Sequence, residues 1–77
     1  MTEFNMKKTA ERIRELRTAQ GISQTKLAKE IGIASNTISQ YEAGTSKTSL
    51  EVIVKLAVAL GTTTDYLLGL TDYESPN

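Results

Sequence analysis

The sequence contains no cysteine and no histidine among its 77 residues. Disulfide bonds are therefore excluded, as are zinc sites with thiolate or imidazole ligands and nucleophile–base pairs that use either residue. No serine lies in the setting of a nucleophile elbow, and the carboxylates form no cluster suited to acid–base catalysis or metal binding. We therefore expect a protein that is not an enzyme and that holds no metal and no cofactor.

Long apolar runs are also missing. The longest, from Leu56 to Leu60, is far shorter than the roughly 20 residues of a membrane-spanning helix, and residues 1–6 lack the apolar run of a signal peptide. Hydrophobic residues make up 39% of the chain and charged residues 23%, which is the balance of a folded globular protein. A chain of this length has room for one core. These observations predict a single soluble domain in the cytoplasm, with no membrane contact.

The net charge is zero, but the charges are unevenly distributed. Residues 1–47 carry eight basic and five acidic side chains, whereas residues 48–77 carry one basic and four acidic ones, so the two parts have charges of +3 and −3. Such a distribution suits a protein that turns a basic face to a polyanion, and it equally suits a surface of solvated charges. Charge alone does not decide between the two.

Five segments with apolar residues three or four positions apart each end at a glycine, the residue that most readily adopts the left-handed conformation of a helix C-terminus. The predicted helices span about 7–20, 24–31, 35–42, 50–60 and 64–68, with Ser23 and Ser49 as N-caps. The fold expected is all-α, a compact five-helix bundle over residues 1–70, followed by a loose polar tail over 71–77.

Two of these helices carry specific predictions about burial. In the fourth, helical spacing predicts one apolar face, with Val54 and Val58 widening it; its other members are Leu50, Ile53, Leu56, Ala57 and Leu60. In the first, Arg12 is expected to point away from the apolar face.

The third segment is unusually polar for a helix of a small bundle. Five hydrogen-bonding side chains surround Ile38 between Ser35 and Tyr41, and none of them is charged. Asn36 and Gln40 are four residues apart and so share a helix face. Amides and hydroxyls of this kind suit base edges in the DNA major groove. A short solvated helix that only bridges two core helices would look the same in composition.

The spacing around this segment distinguishes the two. Between Gln24 and Ala43 the chain has a small residue, Ala28, and four residues later a glycine, Gly32. This window resembles the helix-turn-helix of the Cro/repressor-like (Xre) family, in which a small residue and a glycine hold these two positions. The resemblance extends over about residues 7–70, through "RIRELRTAQGISQTKLAKEIGI", "ISQYEAG" and "SLEVIVKLAVALG" followed by "TDYLLG". It implies a lambda-repressor-like bundle with the helix-turn-helix in helices 2 and 3, sequence-specific binding of double-stranded DNA, and a role as a small transcriptional regulator, a repressor.

The resemblance also implies roles for individual residues. It places four base-reading residues on the recognition helix, residues 35–42: Ser35, Asn36, Ser39 and Gln40. It implies six phosphate contacts: Gln24, which also braces the recognition helix, Thr37, Thr45, Ser46, Lys47 and Ser49. Arg17 and Glu42 match a structural ion pair between the first and third helices. The chain departs from the family at Ala34, where Ser or Thr usually caps the recognition helix, and at Thr48, where Pro is common.

The partners expected are a DNA operator and a second copy of the chain, because one such domain reads few bases. Four residues are candidate dimer contacts, with closure of the bundle as the other interpretation: Tyr66, Leu67, Leu68 and Leu70. The resemblance implies a bacterial, phage or mobile-element origin. The alternative function is a protein-interaction module of the antitoxin or anti-repressor type, with weak or partner-dependent DNA binding, which the neutral charge and the pI of about 6.2 also permit.

Overall fold

The computed structural model describes residues 6–74, which form five α-helices and no β-strand. The helices are α1 (Met6–Ala19), α2 (Gln24–Ile31), α3 (Ser35–Ala43), α4 (Leu50–Leu60) and α5 (Thr64–Leu68). The predicted all-α, five-helix fold is confirmed. The ends of the predicted domain and tail, residues 1–5 and 75–77, lie outside the described residues. Within the described part, none of the helices is both long enough and apolar enough to cross a membrane.

Local signals set most of the helix ends. The hydroxyl of Ser23 accepts a hydrogen bond from the backbone N–H of Lys26 (3.0 Å), and that of Ser49 accepts one from Val52 (3.2 Å), so both residues are N-caps as predicted. Ala34 is the N-cap of α3 and makes no side-chain cap bond. The first turn of α3 is therefore held by its packing and not by a cap.

The core draws on every helix. The largest fully buried apolar side chains are Ile13 on α1, Leu27 on α2, Ile38 on α3, Ile53 and Leu56 on α4, and Leu67 on α5. Full burial of each contributes about 1.5–3 kcal/mol relative to exposure. α3 packs against both α1 and α2, while α4 packs against α1, α2 and α5. This arrangement leaves one side of α3 at the surface.

The prediction for α4 was wrong for part of its apolar face. Ile53, Leu56, Ala57 and Leu60 are buried, but Leu50 is 81% exposed, Val54 52% and Val58 78%. An α-helix places these two sets on adjacent stripes, and the neighbouring helices cover only the first. The second stripe is therefore an exposed apolar surface.

The prediction for Arg12 was also wrong, because this side chain is buried. Its guanidinium stacks on the ring of Tyr66, 3.9 Å from the ring centre. It donates hydrogen bonds to the carbonyls of Tyr66 and Thr71, both at 2.6 Å, and to the carboxylate of Asp72 at 3.0 Å. The apolar stem and planar head of arginine allow burial when the donors are satisfied in this way.

The same contacts correct the expectation of a loose tail. Residues 71–74 have no regular secondary structure, but Arg12 holds Thr71 and Asp72. The hydroxyl of Thr62 donates a hydrogen bond to the carbonyl of Glu74. The described part of the tail is thus tied back to α1 and to the start of the segment that leads into α5.

Candidate nucleic-acid interface

α2 and α3 are joined by a tight three-residue turn. Gly32 adopts a left-handed conformation, with φ of +78°, and its N–H donates to the carbonyls of Ala28 and Lys29. The N–H of Ile33 donates to the carbonyl of Ala28 at 2.9 Å. A positive φ costs little at glycine, so the chain reverses here and places α3 across α2.

α3 has two chemically different faces. Ile38 and Tyr41 point inward and are buried. The four residues predicted to read bases are all exposed on the outer side: Ser35, Asn36, Ser39 and Gln40. Thr37 is half-buried. The exposed face therefore presents hydroxyls and amides without a charge.

Glu42, the one carboxylate on α3, is turned inward. It is paired with Arg17 of α1, with Nε–Oε2 and Nη2–Oε1 distances of 2.6 and 2.9 Å, and its side chain is 4% exposed. The hydrogen bond to Glu42 raises the pKa of Arg17, against the opposing effect of burial. The third nitrogen of the guanidinium, Nη1, donates to the carbonyl of Ile22 at 2.8 Å. The negative charge of α3 is thereby neutralised inside the protein.

Gln24 belongs to the same network. It is the first residue of α2, and its Nε2 donates to Oε1 of Glu42 at 3.1 Å. The side chain is half-buried and spans from the N-terminus of α2 to the second half of α3. Gln24 thus contacts α3 through the carboxylate of Glu42.

The loop that follows α3 is bonded to Gln40. The N–H and the hydroxyl of Thr45 donate to the backbone carbonyl of Gln40 at 3.1 and 3.2 Å. The hydroxyl of Ser46 donates to its side-chain Oε1 at 3.2 Å. These contacts could not be predicted from the sequence, because residues five and six apart across a helix end have no periodic signal. Thr45 and Ser46 therefore support Gln40 in addition to lying at the surface beside it.

The loop ends at the N-terminus of α4. Lys47 and Ser49 are exposed and Thr48 is half-buried. The side chain of Ser49 caps α4, and the first N–H groups of an α-helix have no acceptor within the helix. A cation next to a helix N-terminus favours the binding of an anion there.

A helix-turn-helix family model matches residues 13–67 of the chain. The chain belongs to the helix-turn-helix family. It is 41% identical over 66 residues to the uncharacterized HTH-type transcriptional regulator YobD of Bacillus subtilis, covering 86% of this chain and 59% of YobD. It is 40% identical over 50 residues to the cryptic phage CTXphi transcriptional repressor RstR of Vibrio cholerae, covering 65% and 45%. The chain thus spans about half the length of these helix-turn-helix relatives.

Solved structures of the family share the fold. The restriction-modification controller protein C.AhdI from Aeromonas hydrophila superimposes with a TM-score of 0.76 at 40% identity, covering 80% of this chain and 94% of that one. The P22 c2 repressor, in a structure with a synthetic operator, has a TM-score of 0.76 at 34% identity, covering 87% and 96%. The helix-turn-helix predicted from the spacing of residues 24–43 is confirmed.

Proposed function

We propose that this helix-turn-helix chain binds double-stranded DNA sequence-specifically and acts as a small transcriptional repressor in the cytoplasm of a bacterial cell, as a binding protein and not an enzyme. The observation that carries the proposal is the outer face of α3. Four uncharged hydrogen-bonding side chains are exposed there, while the only carboxylate of the helix is buried against Arg17. A face free of negative charge can approach DNA without repulsion, and its amides and hydroxyls match base edges in the major groove.

Each of the four residues has a chemical role in this proposal. The amides of Asn36 and Gln40 can pair with adenine or with a single acceptor or donor on another base. The hydroxyls of Ser35 and Ser39 can bond several base edges. Before DNA binds, the hydroxyl of Ser46 donates to the side-chain Oε1 of Gln40, and the hydroxyl of Thr45 donates to its backbone carbonyl.

The phosphate contacts flank this face on both sides. Gln24 lies at the N-terminus of α2, and Lys47 and Ser49 lie where the loop enters α4. Thr37, Thr45 and Ser46 complete the set that we assign to the DNA backbone, and the hydroxyls of Thr45 and Ser46 exchange their bonds to Gln40 for phosphate oxygens when DNA binds. Such contacts supply salt-dependent affinity and fix the position of the protein on the duplex.

We further propose that two copies bind a near-palindromic operator, with half-sites about 34 Å apart. The structure changes the choice of dimer contacts. Tyr66 and Leu67 are buried within the bundle, which for these two favours the other interpretation, closure of the bundle, over a dimer contact. Leu68 is half-buried and Leu70 exposed, and only these two of the four remain available.

The experiment that tests the proposal is a selection of random DNA duplexes by the purified protein at near-physiological salt. Enrichment of a short two-fold symmetric sequence is expected. A matched selection with Asn36→Ala plus Gln40→Ala should lose the enrichment while the circular dichroism spectrum stays helical. If a folded wild-type sample enriches nothing, sequence-specific binding is refuted, and the alternative of a partner-dependent interaction module takes its place.

A further inference from the structure

The most exposed apolar surface of a helix lies on α4. Leu50, Val54 and Val58 follow one another at intervals of four residues and form a single stripe, which we call the outer ridge. Their exposed fractions are 81%, 52% and 78%. Single apolar side chains at a surface are ordinary, but a continuous stripe marks a place where another molecule packs.

A concave surface lies beside the outer ridge. A groove of about 780 Å³ separates it from the C-terminal end of α2. Val54, Val58 and Ala59 line one side of the groove, and Ile31 and Gly32 line the other. A side chain of a partner helix packed on the ridge can enter this groove.

We propose that the outer ridge is the contact between two copies of this chain, with the α4 helices packed antiparallel about a two-fold axis near Val54. The proposal rests on the homodimer assigned under the proposed function and gives that dimer its surface. In this arrangement Leu50 packs against the partner's Val58, and Val54 against the partner's Val54. Each contact occurs twice, as two-fold symmetry requires.

The charges beside the ridge identify a second copy as the occupant. Glu51 and Lys55 form an ion pair of 3.2 Å and lie on the same side of the ridge, one turn apart. When two copies of α4 pack antiparallel, like sides face each other. Glu51 then lies near the partner's Lys55, and Lys55 near the partner's Glu51. One ion pair within each helix is exchanged for two between the copies.

The groove rim has the same balance of charge. Lys29 and Glu30 are exposed neighbours at the end of α2. With Glu51 and Lys55 they bring the surface to zero net charge, so a copy of the chain meets no repulsion there. A strongly acidic or basic partner would find no opposite net charge on this surface.

Cysteine cross-linking tests the geometry, because the chain contains no cysteine of its own. Val54→Cys places one thiol at the two-fold axis, where it should oxidise to a covalent dimer. Leu70→Cys is the control for the other candidate contact, since Leu70 lies outside the ridge and its side chain is 74% exposed. A monomeric wild-type protein, equal cross-linking of both variants, or cross-linking of Leu70→Cys alone would each overturn the proposal.

Charge reversal tests the exchange of ion pairs. Glu51→Lys and Lys55→Glu each give the ridge a flank of one sign, so each should weaken self-association by about tenfold or more in analytical ultracentrifugation. An equimolar mixture of the two variants should recover a heterodimer. If the two variants associate with each other as weakly as each associates with itself, the antiparallel pairing is refuted.

These results are separable from the proposed function. Cross-linking through Val54→Cys without any enriched duplex would support the dimer surface and refute sequence-specific DNA binding. An enriched duplex without cross-linking of Val54→Cys would support sequence-specific DNA binding and refute the dimer surface.

Discussion

Arg17 of α1 and Glu42 of α3 are joined by two hydrogen bonds of 2.6 and 2.9 Å, although 25 residues separate them in the chain. The pair is largely shielded from water, with exposed side-chain fractions of 13% and 4%. Gln24 adds a third donor to the same carboxylate. The angle at which α3 presents its outer face therefore depends on a buried charge network and not on apolar packing alone.

Removal of the carboxylate should be strongly destabilising. Glu42→Ala leaves the guanidinium of Arg17 with little solvent and no counter-charge, so we expect a loss of about 3 kcal/mol in the free energy of unfolding. Urea denaturation followed by circular dichroism measures it. Glu15→Ala, which removes an exposed carboxylate from α1, is the control and should change stability by less than about 0.5 kcal/mol. Equal effects of the two substitutions would contradict the role of the pair.

Ala34→Ser should stabilise the protein. Ala34 is the N-cap of α3 with extended backbone angles (φ −73°, ψ +145°) and makes no side-chain cap bond. A serine there can accept a hydrogen bond from the first turn, which is worth about 1 kcal/mol. The expected rise in melting temperature is about 4–8 °C for a domain of this size. Ala19→Ser, at the C-terminal end of α1, offers no such bond, and an equal rise there would argue against capping as the cause.

Tyr66 should make stability depend on pH in alkaline solution. Burial raises the pKa of its phenol, while the charge of Arg12 acts in the opposite direction and Glu74 adds to the rise. The folded protein thus binds this proton more tightly than the unfolded chain. Its contribution is complete below the ordinary pKa of about 10 and is lost as pH rises through the raised value.

The comparison with Tyr66→Phe isolates this effect, since all other groups titrate in both proteins. We expect the free energy of unfolding of the wild type to fall more steeply above about pH 10 than that of the variant. Parallel pH profiles would show that the phenol titrates alike in the folded and unfolded chains.

Gln40→Ala and Lys47→Ala should affect DNA binding in different ways. Loss of a base-reading amide should cost about 1–3 kcal/mol on the selected operator and relax the preference at one position. Loss of a phosphate-binding cation should weaken binding to the operator and to random duplex alike. It should also reduce the slope of log affinity against log salt concentration by about 1. Fluorescence anisotropy at several salt concentrations distinguishes the two. A uniform loss for Gln40→Ala would remove it from the base-reading set.

The helices could be predicted from the sequence because their signals are local. Ser23 and Gly32 mark the two ends of α2 within one turn of the residues they cap. Which apolar stripe of α4 is buried could not be predicted in the same way. Ile53 and Val54 are adjacent and similar in chemistry, and only the positions of α1, α2 and α5 decide that the first is covered and the second exposed.

The same limit applies to the charged residues of α1. Arg12 and Arg17 are both buried or nearly so, yet their ion-pair partners lie 60 and 25 residues away. The family resemblance implied the pair of Arg17 with Glu42. Nothing in the spacing pointed to Arg12, because a contact with the backbone of Tyr66 and Thr71 depends on the tertiary fold.

Gly32 determines what the turn between α2 and α3 can accept. A Cβ added there would meet no atom within 4 Å, so the site has room for a side chain. The obstacle is the handedness of the backbone, since φ is +78°. Asparagine, which tolerates this region, should therefore be the mildest replacement, and valine, with its branched Cβ, one of the worst. The choice of residue at this turn is thus governed by the preference of its own backbone torsion, because no other part of the chain lies close to the added Cβ.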